Sequence, residues 1–266
     1  VTNKHGDFIW YELLTPDQEA TRSFYESVVG WTIDKAPANA ANGMDYRMIN
    51  SASGPIAGSM TLTADMQSGG MQPCWLGYIT VDNVDDVVEA TTAAGGKVHM
   101  EPHELDGVGR FAFVADPAGA LFYVMKPVPP ADDPDASSNS FAATEPLVGH
   151  CAWNELASSD PAAALNFYHD LFGWEKDGEM DMGPMGKYEF LRHDHLIGAV
   201  MPKPPEMPVS AWTFYFRVPD IDAAVVKIEG EGGKILQPPI QNPGGDYSMT
   251  AIDPHGAQFG LVGARQ

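Results

Sequence analysis

Trp10-Tyr11-Glu12-Leu13, followed by a helical run into Phe24-Tyr25 and then Gly30-Trp31, returns later as Trp153-Asn154-Glu155-Leu156, Phe167-Tyr168 and Gly173-Trp174. The copies are 143 positions apart at all three landmarks (153 − 10, 167 − 24, 173 − 30). A strand and helix that recur in register mean a duplicated domain. Residues 8–14 read as the strand. Thr15-Pro16-Asp17-Gln18 reads as a helix start, with Thr15 as cap and Pro16 in the first turn. Gly30 suits the position just beyond the helix.

Outward from this stretch, short strand-like runs at 31–35, 46–50 and 56–63 are separated by Gly43, Ser53-Gly54 and Gly58. Residues 64–73 read as a connection. A strand at 75–81 leads into a helix opened by Asp82-Asn83-Val84 and closed by Gly95-Gly96. Strands follow at 97–100, 110–115 and 121–126, the last two joined by the turn Asp116-Pro117-Ala118-Gly119. The second half repeats the plan. Its third helix opens at Asp160-Pro161, strands lie near 188–192, 197–201 and 212–218, and a fourth helix spans 220–229. The turn Asp253-Pro254-His255-Gly256 then matches the first at an offset of 137 (253 − 116).

The fold class is therefore α+β: four tandem βαβββ-like modules paired into two domains. A doubly wound parallel sheet would need regular strand–helix alternation, which is absent. The expected domains are 1–127 and 148–266. The Pro-, Asp-, Ser- and Ala-rich stretch 128–147 between them reads as an exposed linker.

The chain carries 36 acidic against 15 basic residues, a formal charge of −21. Such a surface repels phosphate backbones and anionic membranes, so nucleic acid and membrane are excluded as partners. A small molecule is the expected partner, and the chain is expected to be a monomer or a homodimer. No apolar run reaches the ~18 residues that span a bilayer, and Val1-Thr2-Asn3-Lys4-His5 has no hydrophobic signal region. A soluble cytoplasmic protein is expected. Cys74 and Cys151 belong to no CxxC motif and read as buried free thiols.

The paired landmarks Phe24-Tyr25 with Gly30-Trp31, Val81-Asp82-Asn83-Val84, Gly95-Gly96 and Asp116-Pro117-Ala118-Gly119, with their second-half counterparts, resemble the vicinal oxygen chelate superfamily. That superfamily includes glyoxalase I, bleomycin- and fosfomycin-resistance proteins and extradiol dioxygenases. The resemblance covers nearly the whole chain outside the linker. It is nearest to two-domain members with a Trp-x-Glu-Leu first strand, which are labelled glyoxalase-like or hydroxylase-like.

The resemblance implies a divalent metal held by His, Gln and Glu on the first and last strands of each module, acting as a Lewis acid. Carried over by position, the first-strand ligand lies fourteen residues before Phe24 and Phe167, at Trp10 and Trp153. The next lies five residues before Val81 and Val218, at Leu76 and Thr213. The closing carboxylate lies seven residues after Asp116 and Asp253, at Tyr123 and Gly260. Indole, leucine, phenol and glycine do not replace imidazole and carboxylate around such an ion. No metal and no other cofactor is therefore expected.

Three relocated sites compete with blander readings. Glu12 and Glu155 share a face with Trp10 and Trp153 but read as carboxylates bonded to backbone or arginine. His99, Glu101 and His103 would share one side of an extended segment, yet Pro102 favours a loop with solvated side chains. His193-Asp194-His195 reads as a hairpin turn.

The resemblance also implies that each module pair curls into an open half-barrel around a cavity. Strand alternation counted from the family anchors puts Trp10, Glu12, Leu76, Tyr78, Leu121 and Tyr123 on the cavity face in the first half, and Trp153, Glu155, Thr213, Tyr215 and Gln258 in the second. An apolar, aromatic surface with few polar groups suits a small molecule, and the tryptophans could stack on a planar one. Glu12 and Glu155 are the only acids in the set. Against indole their charged forms are disfavoured, which suits general acid–base work near neutrality.

Three functions follow. The first is a metal-independent binding protein of the resistance or sequestration type, taking a planar or carbonyl-containing metabolite. The second is a glyoxalase-like or hydroxylase-like enzyme using Glu12 or Glu155. The third is a metal-dependent lyase or dioxygenase with a rearranged site.

Overall fold

The computed structural model describes residues 3–37 and 43–266. In the first half, β1 (Phe8–Thr15) leads to α1 (Gln18–Val28), then β2 (Thr32–Ile33), β3 (Tyr46–Ser51) and β4 (Gly54–Thr61). After the short α2 (Ala64–Ser68) come β5 (Cys74–Thr80), α3 (Val84–Ala93), β6 (Lys97–Leu105), β7 (Gly109–Ala115) and β8 (Leu121–Pro127). The second half repeats the order: β9 (Cys151–Ser158), α4 (Pro161–Phe172), β10 (Glu175–Asp181), β11 (Lys187–His193) and β12 (His195–Pro202). It ends with β13 (Ala211–Arg217), α5 (Ile221–Gly230), β14 (Lys234–Gln241), β15 (Tyr247–Ile252) and β16 (Gln258–Gly263).

The strands form two open eight-stranded sheets, ordered β2-β3-β4-β1-β5-β8-β7-β6 and β10-β11-β12-β9-β13-β16-β15-β14. Each is the product of two βαβββ modules. The first and last strands of a module pair in parallel, as β1 with β4 and β5 with β8, and the rest of the module is antiparallel.

Packing does not follow the two halves. One compact unit is made of 1–9, 77–138 and 154–212, the other of 10–76, 139–153 and 213–266. Each unit thus draws on both copies of the duplication. In the first, Phe122 of β8 packs on Phe167, Tyr168 and Phe172 of α4. In the second, Phe24 of α1 meets Phe259 of β16, and Tyr11 of β1 meets Phe214 of β13.

A matching hydrogen-bonded chain sits in each unit. Tyr25 Oη donates to Asp253 Oδ2 (3.1 Å) and accepts from Trp75 Nε1 (3.0 Å). In the other unit Tyr168 Oη donates to Asp116 Oδ2 and accepts from Trp212 Nε1, both at 3.1 Å. Each aspartate also accepts two amides of its own turn, from Ala118 and Ala120 or from His255 and Ala257. The Phe-Tyr and Asp-Pro landmarks are therefore structural. They tie a helix from one half to a turn from the other.

Several expected boundaries move. Asp17, not Thr15, caps α1, with its side chain accepting the Ala20 amide; Thr15 is still extended, paired with Thr61. The strand at 31–35 shortens to β2. The connection at 64–73 holds α2, capped by Thr63. β10 has no counterpart in the sequence reading, because all its residues are exposed and no apolar alternation marks it. The segment 99–103 is not a loop: it lies within β6, a sheet-edge strand whose register shifts on both sides of Met100. An edge position tolerates Pro102, since its missing amide is not needed there. The end of the linker is docked rather than free: Ser138 Oγ donates to the Ile9 carbonyl, Ser140 is buried and Phe141 bridges to Cys151.

Candidate functional site

The first glutamate stands on β1 beneath a phenol. Glu12 is 2% exposed. It hydrogen-bonds the side chain of Tyr46 on β3. Trp10 Nε1 donates to the same Tyr46 oxygen at 2.8 Å. Burial, then the Glu12 charge, push the Tyr46 phenol well above its usual range, so it stays protonated. The ring fits because residue 58 on β4 is glycine: a Cβ there would lie 2.1 Å from the Tyr46 hydroxyl. Cys74, a free thiol, is pushed up to about 12 by burial and then by Glu12.

The second glutamate repeats the arrangement more openly. Glu155 on β9 is half-buried, and Tyr188 Oη on β11 donates to its Oε2 at 2.6 Å. In both copies a tyrosine is a hydrogen-bond partner of the glutamate. Tyr46 and Tyr188 escaped the sequence reading, although a tyrosine recurring at the start of the third module strand was a visible signal. They sit one position off the 143 offset (188 − 46 = 142).

Where the resemblance would place metal ligands, other contacts are found. Tyr78 of β5 is paired in register with Tyr123 of β8, and their rings stack at 4.2 Å and 8°. Phe113 of β7 stacks on Tyr123 at 4.6 Å, and His99 of β6 continues the row, tilted at 5.5 Å from Phe113. A second pair, Phe111 and His103, stands beside it at 4.2 Å. Strand spacing of about 4.8 Å sets this stacking distance. Tyr78, Tyr123 and Phe113 are buried, Phe111, His103 and Leu121 are half-buried, and His99 is exposed. Partial desolvation of its ring against the sheet, then the nearby Lys97, lower the His99 pKa and favour its neutral form.

The corresponding place in the other sheet holds Tyr215 of β13 over Gly260 of β16, where a Cβ would lie 2.4 Å from the ring. Beside it Gln258 Nε2 donates to Thr213 Oγ1 at 3.1 Å. Leu76 is buried as core, and Trp153 is half-buried with its carbonyl accepting from Cys151 Sγ. Trp10, Leu76 and Tyr123, or Trp153, Thr213 and Gly260, are not a donor set for a divalent ion. Among the described residues no group of three or more His, Cys, Asp and Glu could hold one. His193 and His195 flank a hairpin turn at Asp194, whose φ is +62°, and His193 Nε2 donates to the His5 carbonyl.

The family model of the Glyoxalase/Bleomycin resistance protein/Dioxygenase superfamily matches residues 8–124 and 147–261. The chain belongs to this superfamily. CFP32 of Mycobacterium tuberculosis, which carries a provisional glyoxylase name, is 31% identical over 260 residues, covering 97% of this chain and 95% of the relative. The anthracycline biosynthesis protein DnrV of Streptomyces peucetius is 28% identical over 278 residues, covering 97% and 93%. Among solved structures, the Mn(II)-bound glyoxalase from Novosphingobium aromaticivorans superposes with a TM-score of 0.65 at 18% identity, covering 99% of this chain and 83% of that one. The 2,2',3-trihydroxybiphenyl 1,2-dioxygenase from Sphingomonas wittichii gives 0.64 at 14%, covering 100% and 92%. At these identities the structural likeness concerns the fold alone. Among the described residues, no helix is long and apolar enough to cross a membrane.

Proposed function

We propose that this superfamily member binds a planar aromatic small molecule without a divalent metal, at the open end of the Tyr78–Tyr123–Phe113 row. The observation that carries the reading is the row itself. It stands at a lost ligand position, Tyr123, and ends in half-buried and exposed rings. The faces of Tyr78 and Tyr123 are spent on each other. A flat ligand would therefore meet ring edges, or extend the row beside Phe111, His103 and His99, and both geometries are favourable for aromatic contacts. The name of DnrV refers to anthracyclines, which are fused-ring aromatics. The test is a fluorescence titration with a hydroxyanthraquinone. Saturable quenching is expected, insensitive to EDTA and weakened about tenfold by Phe111→Ala, the loss of one good aromatic contact. Absence of saturation, or binding that needs an added metal, would overturn it.

A second reading rests on the repeated glutamate–tyrosine pair. A carboxylate that accepts from a phenol can take a proton from a carbon acid while the phenol supplies one to its oxygen. Glu155 and Tyr188 are the more accessible pair, and Glu12 with Tyr46 the enclosed one. Loss of turnover of a small carbonyl compound in Glu155→Gln, with binding kept, supports it; activity equal to wild type in both Glu12→Gln and Glu155→Gln removes it.

A further inference from the structure

A serine–histidine pair lies apart from the surfaces above. His150, immediately before β9, is 1% exposed. Its Nδ1 lies 2.5 Å from the Asn139 carbonyl oxygen, which can only accept, so Nδ1 carries the proton. In the neutral ring Nε2 then holds a lone pair. It lies 2.6 Å from Ser53 Oγ and 3.1 Å from Ser51 Oγ. Ser51 Oγ accepts the Ser53 amide (3.2 Å) and lies 2.9 Å from Ser53 Oγ and 3.2 Å from the Gly54 carbonyl, so its one proton has partners other than Nε2, and the shorter contact, from the Ser53 hydroxyl, is assigned as the donor to Nε2.

The pair is held from both sides. Ser53 sits exposed at the tip of the β3–β4 hairpin, before Gly54, whose φ of +115° lets the chain turn. The His150 backbone is fixed because its carbonyl accepts the Arg217 amide at 2.9 Å, while the adjoining Gly149 carbonyl accepts Trp31 Nε1 at 2.8 Å. An exposed hydroxyl on a buried imidazole, itself oriented by a third group, has the arrangement of an activated nucleophile.

We propose that Ser53 is a nucleophile and His150 its general base, together accepting acyl groups from activated aryl esters. His150 Nε2 takes the Ser53 proton as Oγ bonds to the ester carbonyl carbon. The bond from that carbon to the phenolic oxygen then breaks, and Nε2 returns the proton to the departing phenol. Water repeats the two transfers, releasing the carboxylic acid and restoring Ser53. The substrate must be activated because the Ser53 amide is spent on Ser51 Oγ, where an oxyanion donor would otherwise stand.

The test exposes the full chain to a fluorophosphonate and to p-nitrophenyl acetate and maps the adduct by peptide mass. A single adduct on Ser53 is expected, absent in Ser53→Ala, kept in Ser51→Ala and formed about 100-fold more slowly in His150→Gln, the loss typical of a missing general base. Thermal melting shows whether His150→Gln still folds. Independently of that variant, the urea-unfolded wild type should label Ser53 no faster than its other serines. No adduct on Ser53, an equal rate in folded His150→Gln, or equal labelling of folded and unfolded wild type would overturn the assignment and leave His150 as a tie for the hairpin.

Discussion

Asp253 shows how a side chain repeated in both halves, as Asp116, can serve packing rather than chemistry. It is buried, and burial raises its pKa above the ordinary aspartate value of 3.8 despite the hydrogen bonds it accepts from two amides and the Tyr25 hydroxyl. Asp116 does the same beside Tyr168. A carboxyl whose folded pKa is raised contributes stability that is fully present below 3.8 and lost as pH rises through the folded value. Asp253→Asn cannot ionise, so the difference between wild type and variant must move with pH. The variant is expected to lose stability at acid pH, where it lacks the native Tyr25 contact, and to recover part of the gap towards neutrality. Urea midpoints at several pH values check this; a gap that widens on raising the pH would show that the charged form is the favoured one.

At the scale of elements, the duplicated strand–helix unit was legible because its apolar residues alternate and its turns carry Gly and Asp-Pro. β10 was not, because ion pairs hold it instead: Lys176 with Glu179 and Glu189, and Arg192 with Asp177. A strand with charges on both faces leaves no period-two apolar signal. β6 misled through Pro102, which marks a loop in most contexts but is tolerated on an edge. Face assignments from alternation concern one strand at a time, whereas in the structure Tyr78 stacks on Tyr123 and Gln258 donates to Thr213 across neighbouring strands. They gave no view of residues supplied by a neighbouring strand, such as Tyr46 and Tyr188. The glycines facing those strands carry the corresponding prediction. Gly58→Ala and Gly260→Ala each put a methyl inside a tyrosine ring's place, so each should cost about 1–3 kcal/mol. Gly244, with open space around it, is the control and should be near neutral on replacement by alanine. In Gly58→Ala the Trp10–Tyr46 bond must also break, which near-ultraviolet circular dichroism would register. A neutral Gly58→Ala would mean that Tyr46 has another place to go, and that the Glu12 cluster is not fixed by packing.

Across the whole molecule, the duplication and the packing disagree about what a domain is. The sequence repeats at 143 residues, and each sheet is built from one half. The compact units nevertheless combine 1–9, 77–138 and 154–212, or 10–76, 139–153 and 213–266. Each buried tyrosine–aspartate bond therefore joins residues from opposite halves, Tyr25 to Asp253 and Tyr168 to Asp116. A separated first half would leave Asp116, Phe24 and Phe122 without their partners. The lost tyrosine–aspartate hydrogen bond costs about 1–3 kcal/mol, and each exposed aromatic loses a comparable burial term. These losses are a large fraction of an ordinary domain's stability. Expressed alone, residues 1–146 and 147–266 are therefore expected not to persist as cooperatively folded monomers. Mixed, they should recover a single sharp melt close to that of the intact chain. Sedimentation and calorimetry of the two fragments, separate and together, decide the matter. A monomeric half that melts as cooperatively as the whole would show that the sheet, rather than the cross-half unit, is what folds.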